Sequence, residues 1–181
     1  MISSMTEDSI IAVYCNHIDE RYNDIPKHIM NRLSLADKLY RRLVASYADE
    51  SLIKVMLFGS KSAIEMCSKA TSMKVSIHEC NSIADMASII MDSLKGDKHT
   101  DGDVVRVYFV LSDWQWVYIE PLLRLKDSNA RFFFEGASDE RSAQDINAER
   151  RLESIVKVKG KRGLNALIDK VMSTLASDMK G

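Results

Sequence analysis

Two prolines and seven glycines are all that punctuate 181 residues, too few for a flexible linker or a low-complexity segment, and no internal repeat is present. Cysteine is scarce and odd in number. Cys15, Cys67 and Cys80 stand far apart and outside any CxxC spacing, which excludes a disulfide framework and predicts buried free thiols in a reducing compartment. Neither sign of charge dominates. With 25 basic against 26 acidic residues and a formal net charge of -1, no long-range field draws the chain to nucleic acid or to an anionic membrane. No apolar run approaches the ~20 residues of a membrane span, and Met1–Asp8 lacks a basic segment leading into an apolar one. The expectation is a cytoplasmic protein, away from membranes, with nucleic acid disfavoured as a partner.

What is present is an ordinary globular composition, 46% hydrophobic and 28% charged, in a length that suits one domain. The most informative stretch is Asp103–Gly136. Val104–Leu111 is a β-branched and aromatic run, an amphipathic segment follows, and Arg131–Phe134 reads as a second strand. Two apolar strands joined by a helix-length crossover make a βαβ unit, with parallel strands buried on both faces.

The same patterning extends both ways. Thr6 with Glu7 and Asp8 reads as a helix start, followed by Ile10, Ile11, Tyr14, Ile18 and Tyr22 at helical spacing. Pro26 opens a second helix whose stripe is Ile29, Leu33, Ala36, Tyr40, Leu43 and Tyr47, broadened by Met30, Leu39 and Val44. Leu52–Phe58 and Lys74–Cys80 read as strands, Ser62–Ser72 as a helix, and Ser82 as the cap of a further helix through Leu94. Trp114–Ile119 is expected to be irregular, because Pro121 is poor inside a helix. Ala137–Arg151 is polar nearly all round, either a solvated helix or a loop. Ser154–Val158 and Leu164–Met179 are expected to close the chain as strand and helix. The predicted fold is a single α/β domain over 1–181. An N-terminal helix pair (1–50) precedes a three-layer, Rossmann-like sheet core (51–181) of five parallel strands with helices on both faces. The broad apolar stripe predicts a homo-oligomer joined through Thr6–Tyr47.

Ligands of parallel sheets bind at the carboxyl ends of the strands. Gly59, Ser60, Lys61 and Ser62 lie where a strand enters a helix, and their backbone N–H groups, hydroxyls and lysine suit a phosphate or carboxylate. They match neither GxGxxG nor GxxxxGK[ST], so no nucleotide cofactor is implied. Ser112 and Asp113 end the next such strand, followed by Trp114 and Trp116, whose indoles suit a stacked ring or a partner protein. Glu79, Asp113 and Glu135 end predicted strands and are the only set from which a magnesium site is built, on the premise that adjacent strands bring them together. Lys157–Arg162 is a basic turn that suits an anion or a blunted edge. The four histidines show no ligand spacing, and His78 is expected to be a satisfied core residue.

Two resemblances emerge from these motifs. Phe58–Ala63 is similar to the glycine-serine phosphate loop of the sugar isomerase (SIS) domain, and Asp101–Val105 resembles that family's "GDVV" strand entry. The leading helix pair, five parallel strands and closing helix match its architecture. In place of the family's second serine-rich loop stands Ser112–Val117, where only Ser112 carries over. The resemblance therefore implies a non-catalytic binding or assembly module. It takes a phosphorylated small molecule, or a partner protein such as the bacterial replication initiator bound by scaffold members of the family. Leu111–Asp113, then Pro121–Leu123 and Phe132–Gly136, resembles instead the NYN/PIN-like nuclease fold. That implies a metal-dependent ribonuclease acting through Asp113, Glu135 and Glu79.

Overall fold

Ser9–Tyr14, expected to be helical, is a strand, β1, buried at every residue. Its spacing of Ile10, Ile11 and Tyr14 suits a helix, but six consecutive buried residues, half of them β-branched, suit the centre of a parallel sheet better. A short apolar run cannot be assigned by periodicity alone, and burial on both faces decides it here. The computed structural model describes residues 8–16, 24–47, 49–96, 104–123 and 130–154. Ile18 and Tyr22, the rest of the expected first helix, lie outside them.

The chain divides into two compact units, Met1–Glu140 and Arg141–Gly181. In the first, β1 is followed by α1 (Lys27–Ser46), β2 (Ile53–Gly59), α2 (Lys61–Ala70), β3 (Val75–Glu79) and α3 (Ile83–Gly96). Then come β4 (Val105–Ser112), α4 (Trp116–Leu123) and β5 (Ala130–Ala137). In the second unit residues 143–154 are helical, Ser154 among them, and the rest of the strand expected there is outside the described residues. The closing helix Leu164–Met179 and the basic turn Lys157–Arg162 are outside them too.

The five strands are all parallel, in the order β3-β2-β1-β4-β5. The α/β class, a sheet of five parallel strands and the flanking helices thus stand as read, but the fifth strand is β1, where a helix was expected, and not the stretch from Ser154. The helix pair in front of them does not: one described helix, α1, follows the first strand. Alternate residues divide the core into two layers. Ile11, Val13, Val55, Leu57 and Val110 pack with Ile29, Leu33, Ala36, Leu39 and Leu43 of α1 and with Ala63, Ile64 and Cys67 of α2. Ala12, Tyr14, Phe58, Val107 and Phe109 pack with Ile83, Met86 and Ile90 of α3 and with Ile119 and Leu123 of α4. Of the residues expected to broaden the α1 stripe outward, Leu39 is buried in the core and Val44 packs against it. Met30, the third of them, is exposed, and within Thr6–Tyr47 the structure describes one helix.

The turn after β4 also departs from expectation. Asp113–Gln115 forms a single 3-10 turn and α4 begins directly at Trp116, with Pro121 inside it. Ser112 and Gln115 cap that turn reciprocally, Ser112 N donating to Gln115 Oε1 at 2.9 Å. Ile119 and Leu123 anchor α4 in the core, and their burial offsets the hydrogen bond the proline removes. Among the described residues no helix is long and apolar enough to cross a membrane.

Candidate functional site

The sheet order places a topological switch point at β1. From it one crossover leads to β2 and β3, and the chain then returns to the other side for β4 and β5. In open parallel sheets this is where a crevice forms beyond the carboxyl ends of the strands. The expected site residues fall on both sides of it. Gly59–Ser62 lie at the end of β2 and Ser112–Asp113 at the end of β4, two strand spacings or about 10 Å apart. Between them ends β1, with Cys15 and Asn16.

Gly59 is fitted to this junction. A Cβ there would stand 3.2 Å from the backbone nitrogen of Asn16 and 3.3 Å from the carbonyl carbon of Cys15, so glycine lets the two strand ends lie close. Cys15 N donates to Phe58 O at 2.7 Å and Cys80 N to Gly59 O at 2.9 Å. Asn16 ties the turn further, its Oδ1 accepting from Ser60 N at 3.1 Å. Ser60 precedes α2 without capping it through its side chain, and its hydroxyl lies 3.4 Å from that of Ser62. Lys61 is exposed and pairs with no described residue.

On the far side of β1 the organising group is Arg32, a guanidinium with no solvent exposure at all. It reaches from α1 to the ends of two strands, donating to Tyr14 O and to Ser112 Oγ, each at 2.7 Å. The Tyr14 ring lies beneath it at 5.9 Å. Ser112 Oγ in turn donates to Asp139 Oδ2 at 3.0 Å, and Trp114 Nε1 donates to the same oxygen at 3.0 Å. A buried cation and a carboxylate are thus joined through one hydroxyl, which satisfies a charge that would otherwise be strongly unfavourable in the interior. Asp113 lies over Gly136, where a Cβ would come within 2.1 Å of its Oδ1; the carboxylate itself is exposed and bonds to no described residue.

Other expected residues are dispersed. Trp116, the first residue of α4, is half-buried, stacks on Phe134 at 5.1 Å and packs against the core. Trp114 is half-buried, edge-on to Tyr118. Glu79 ends β3, three strand spacings or about 14 Å from the β4 end that carries Asp113, and Glu135 pairs with Arg42 of α1 at 3.1 Å. The three carboxylates therefore do not converge, because β2 and β1 stand between β3 and β4. Among the described residues no group of three His, Cys, Asp or Glu side chains is placed to hold a metal ion. His78 is half-buried on the edge strand rather than in the core. Cys15, Cys67 and Cys80 are all free and buried, and the thiol of Cys15 is pushed well up by its hydrogen bond with Cys67 and by burial.

Sequence reasoning missed Asn16, Arg32 and Asp139. Arg32 left a signal, since it falls three residues after Ile29 and four before Ala36, inside the apolar stripe of α1. A charge on a buried face requires a partner. Asp139 sits in a uniformly polar stretch and left none.

No family model, curated protein or solved structure matches this chain.

Proposed function

We propose that this chain is a binding module for a phosphorylated small molecule, without catalysis of its own, with the ligand seated across the carboxyl ends of β2, β1 and β4. The observation that carries this reading is the pairing of two unlike strand ends on either side of β1. At the β2 end, Lys61, the hydroxyls of Ser60 and Ser62 and the first turn of α2 favour an anion. At the β4 end, the exposed Asp113 carboxylate is an acceptor for ligand hydroxyls. A phosphate at one end and a polyol at the other describe a sugar phosphate, in keeping with the SIS resemblance of Phe58–Ala63. The stacking of Trp116 on Phe134 leaves less of its indole for the partner-protein alternative. Calorimetric titration with a hexose phosphate and with inorganic phosphate tests the reading. Lys61→Ala should weaken both ligands, whereas Asp113→Asn should remove only the preference for the sugar phosphate. Absence of binding by either ligand at millimolar concentration would end it.

A second reading is favoured by one observation. With β1 as the first described element and central in the sheet, the helical N-terminus that fits an NYN/PIN-like nuclease poorly is gone. Asp113 and Asn16 then stand on neighbouring strand ends at the switch point. Cleavage of labelled RNA in Mn²⁺, lost in Asp113→Asn, would replace the first reading with this one.

A further inference from the structure

β3 forms one outer edge of the sheet and pairs with β2 alone among the described strands. At the end of their ladder Cys80 N donates to Gly59 O at 2.9 Å, which fixes the backbone direction along β3. In a parallel ladder alternate residues bond to the neighbouring strand, so Ser76 and His78 turn their N–H and C=O groups to β2, as Cys80 does. Val75, Ile77 and Glu79 turn theirs outward. No described residue bonds to those outward groups.

Open edges are normally blocked by a proline, a bulge, a charge within the strand or a covering element. Val75–His78 carries neither proline nor a charged residue, and at its centre Ile77 is 49% exposed. The charges stand at the two ends instead. Lys74 lies just ahead of the strand and Glu79 is its last residue, both are exposed, and neither pairs with a described residue. A strand that is positive at its start and negative at its end is complementary to its own reverse.

We infer that β3 is a self-association edge, on which a second copy of this chain lays its own β3 antiparallel across a two-fold axis at Ile77. In that register Val75 stands opposite Glu79 of the second copy and Ile77 opposite its own counterpart, so every outward N–H and C=O meets a partner. A register shifted by two residues would leave outward groups unmatched at the strand ends. The two Ile77 side chains, with Cα atoms about 5.5 Å apart, cover each other's apolar surface. On the other face Ser76, whose Oγ lies 3.0 Å from His78 Nε2, stands opposite His78 of the second copy, polar against polar. Lys74 comes beside Glu79 of the second copy at both ends, where a parallel pairing would set like charge beside like. The homo-oligomer expected through Thr6–Tyr47 is thereby moved to the β3 edge. The inference does not rest on the sugar-phosphate reading, since that crevice lies at β1 in the middle of the sheet.

The test is light scattering and sedimentation of the full chain over a dilution series from ~100 μM. The wild type should reach twice the 20.5 kDa of one chain. Ile77→Lys, which sets two ammonium groups face to face at the axis, should give a monomer with unchanged circular dichroism and melting temperature. Lys74→Glu should raise the dissociation constant about tenfold, because the substitution acts twice in each dimer. Adding Glu79→Lys to Lys74→Glu reverses both charges and should restore the dimer, which a merely structural role of either residue would not do. Met30→Glu, on the exposed side of α1, should leave the mass unchanged. A wild type that stays monomeric at ~100 μM, a dimer that persists in Ile77→Lys, no recovery in the double reversal, or dissociation by Met30→Glu would each overturn the assignment.

Discussion

Arg32 Nη2 donates a 2.7 Å hydrogen bond to Ser112 Oγ, joining the first described helix to the end of β4 with no solvent exposure at either residue. This contact holds the switch point together, because the same guanidinium also binds the last carbonyl of β1. Arg32→Ala should therefore destabilise the fold by about 3–5 kcal/mol, as expected when one partner of a buried charged network is removed. Arg32→Lys should not restore it, since an ammonium cannot present two donors in the guanidinium fork. Arg32→Met, which removes the charge but keeps the volume, should be milder than Arg32→Ala. Urea denaturation of the three variants checks the order, and equal stability of Arg32→Ala and wild type would show that the network is not holding the strands.

The central position of β1 makes its apolar residues more sensitive than those of a surface helix. Ile11 has no exposure and belongs to the layer under α1 and α2. Ile11→Ala should lower stability by about 2–5 kcal/mol. A loss below about 1 kcal/mol in chemical denaturation would contradict burial on both faces of this strand.

Gly136 offers a way to move Asp113 without changing it. A Cβ at position 136 would come within 2.1 Å of Asp113 Oδ1, while the neighbouring Phe134 ring edge would lie at 3.1 Å. Because the aspartate is exposed, its side chain can turn aside, so Gly136→Ala should cost no more than about 1 kcal/mol. The preference for a sugar phosphate over inorganic phosphate should nevertheless fall, as in Asp113→Asn. An unchanged preference would place the Asp113 carboxylate outside the ligand's reach.

His78 sets a pH dependence whose sign follows from its burial. The folded state holds its pKa below the unfolded value. Well above the unfolded histidine range the ring is uncharged in both states and contributes no slope. As pH falls through the unfolded histidine range, the unfolded chain takes up the proton first and stability drops. Comparing the pH dependence of the melting temperature with that of His78→Gln isolates this component. A slope of the same size in both proteins would mean that His78 is solvated as freely in the folded chain as in the unfolded one.

Much of the fold was legible because its strands differ chemically from its helices. Val105–Ser112 and Ile53–Gly59 are largely apolar runs of strand length, and α1 carries an apolar stripe over 20 residues that only His28 and Arg32 interrupt. β1 was misread because its five apolar residues satisfy both periods, and only the partners on either side select one. The strand ends at Gly59–Ser62 and Ser112–Asp113 were legible, because the turn from strand to helix is local in sequence. Arg32 and Asp139 were not, because their meaning lies in contacts across 80 and 27 residues. The convergence expected of Glu79 with Asp113 failed for a related reason: strand order is set by crossovers, and proximity in sequence does not specify it.

The most direct test of the sugar-phosphate reading is an amide chemical-shift titration of the labelled full chain with a hexose phosphate. The account predicts saturable shifts at Asn16, Ser60, Ser62 and Ser112, which surround the switch point, and none at Ser76 or Ile77 on the edge strand. Shifts confined to the edge strand, or no shifts at millimolar ligand, would contradict it.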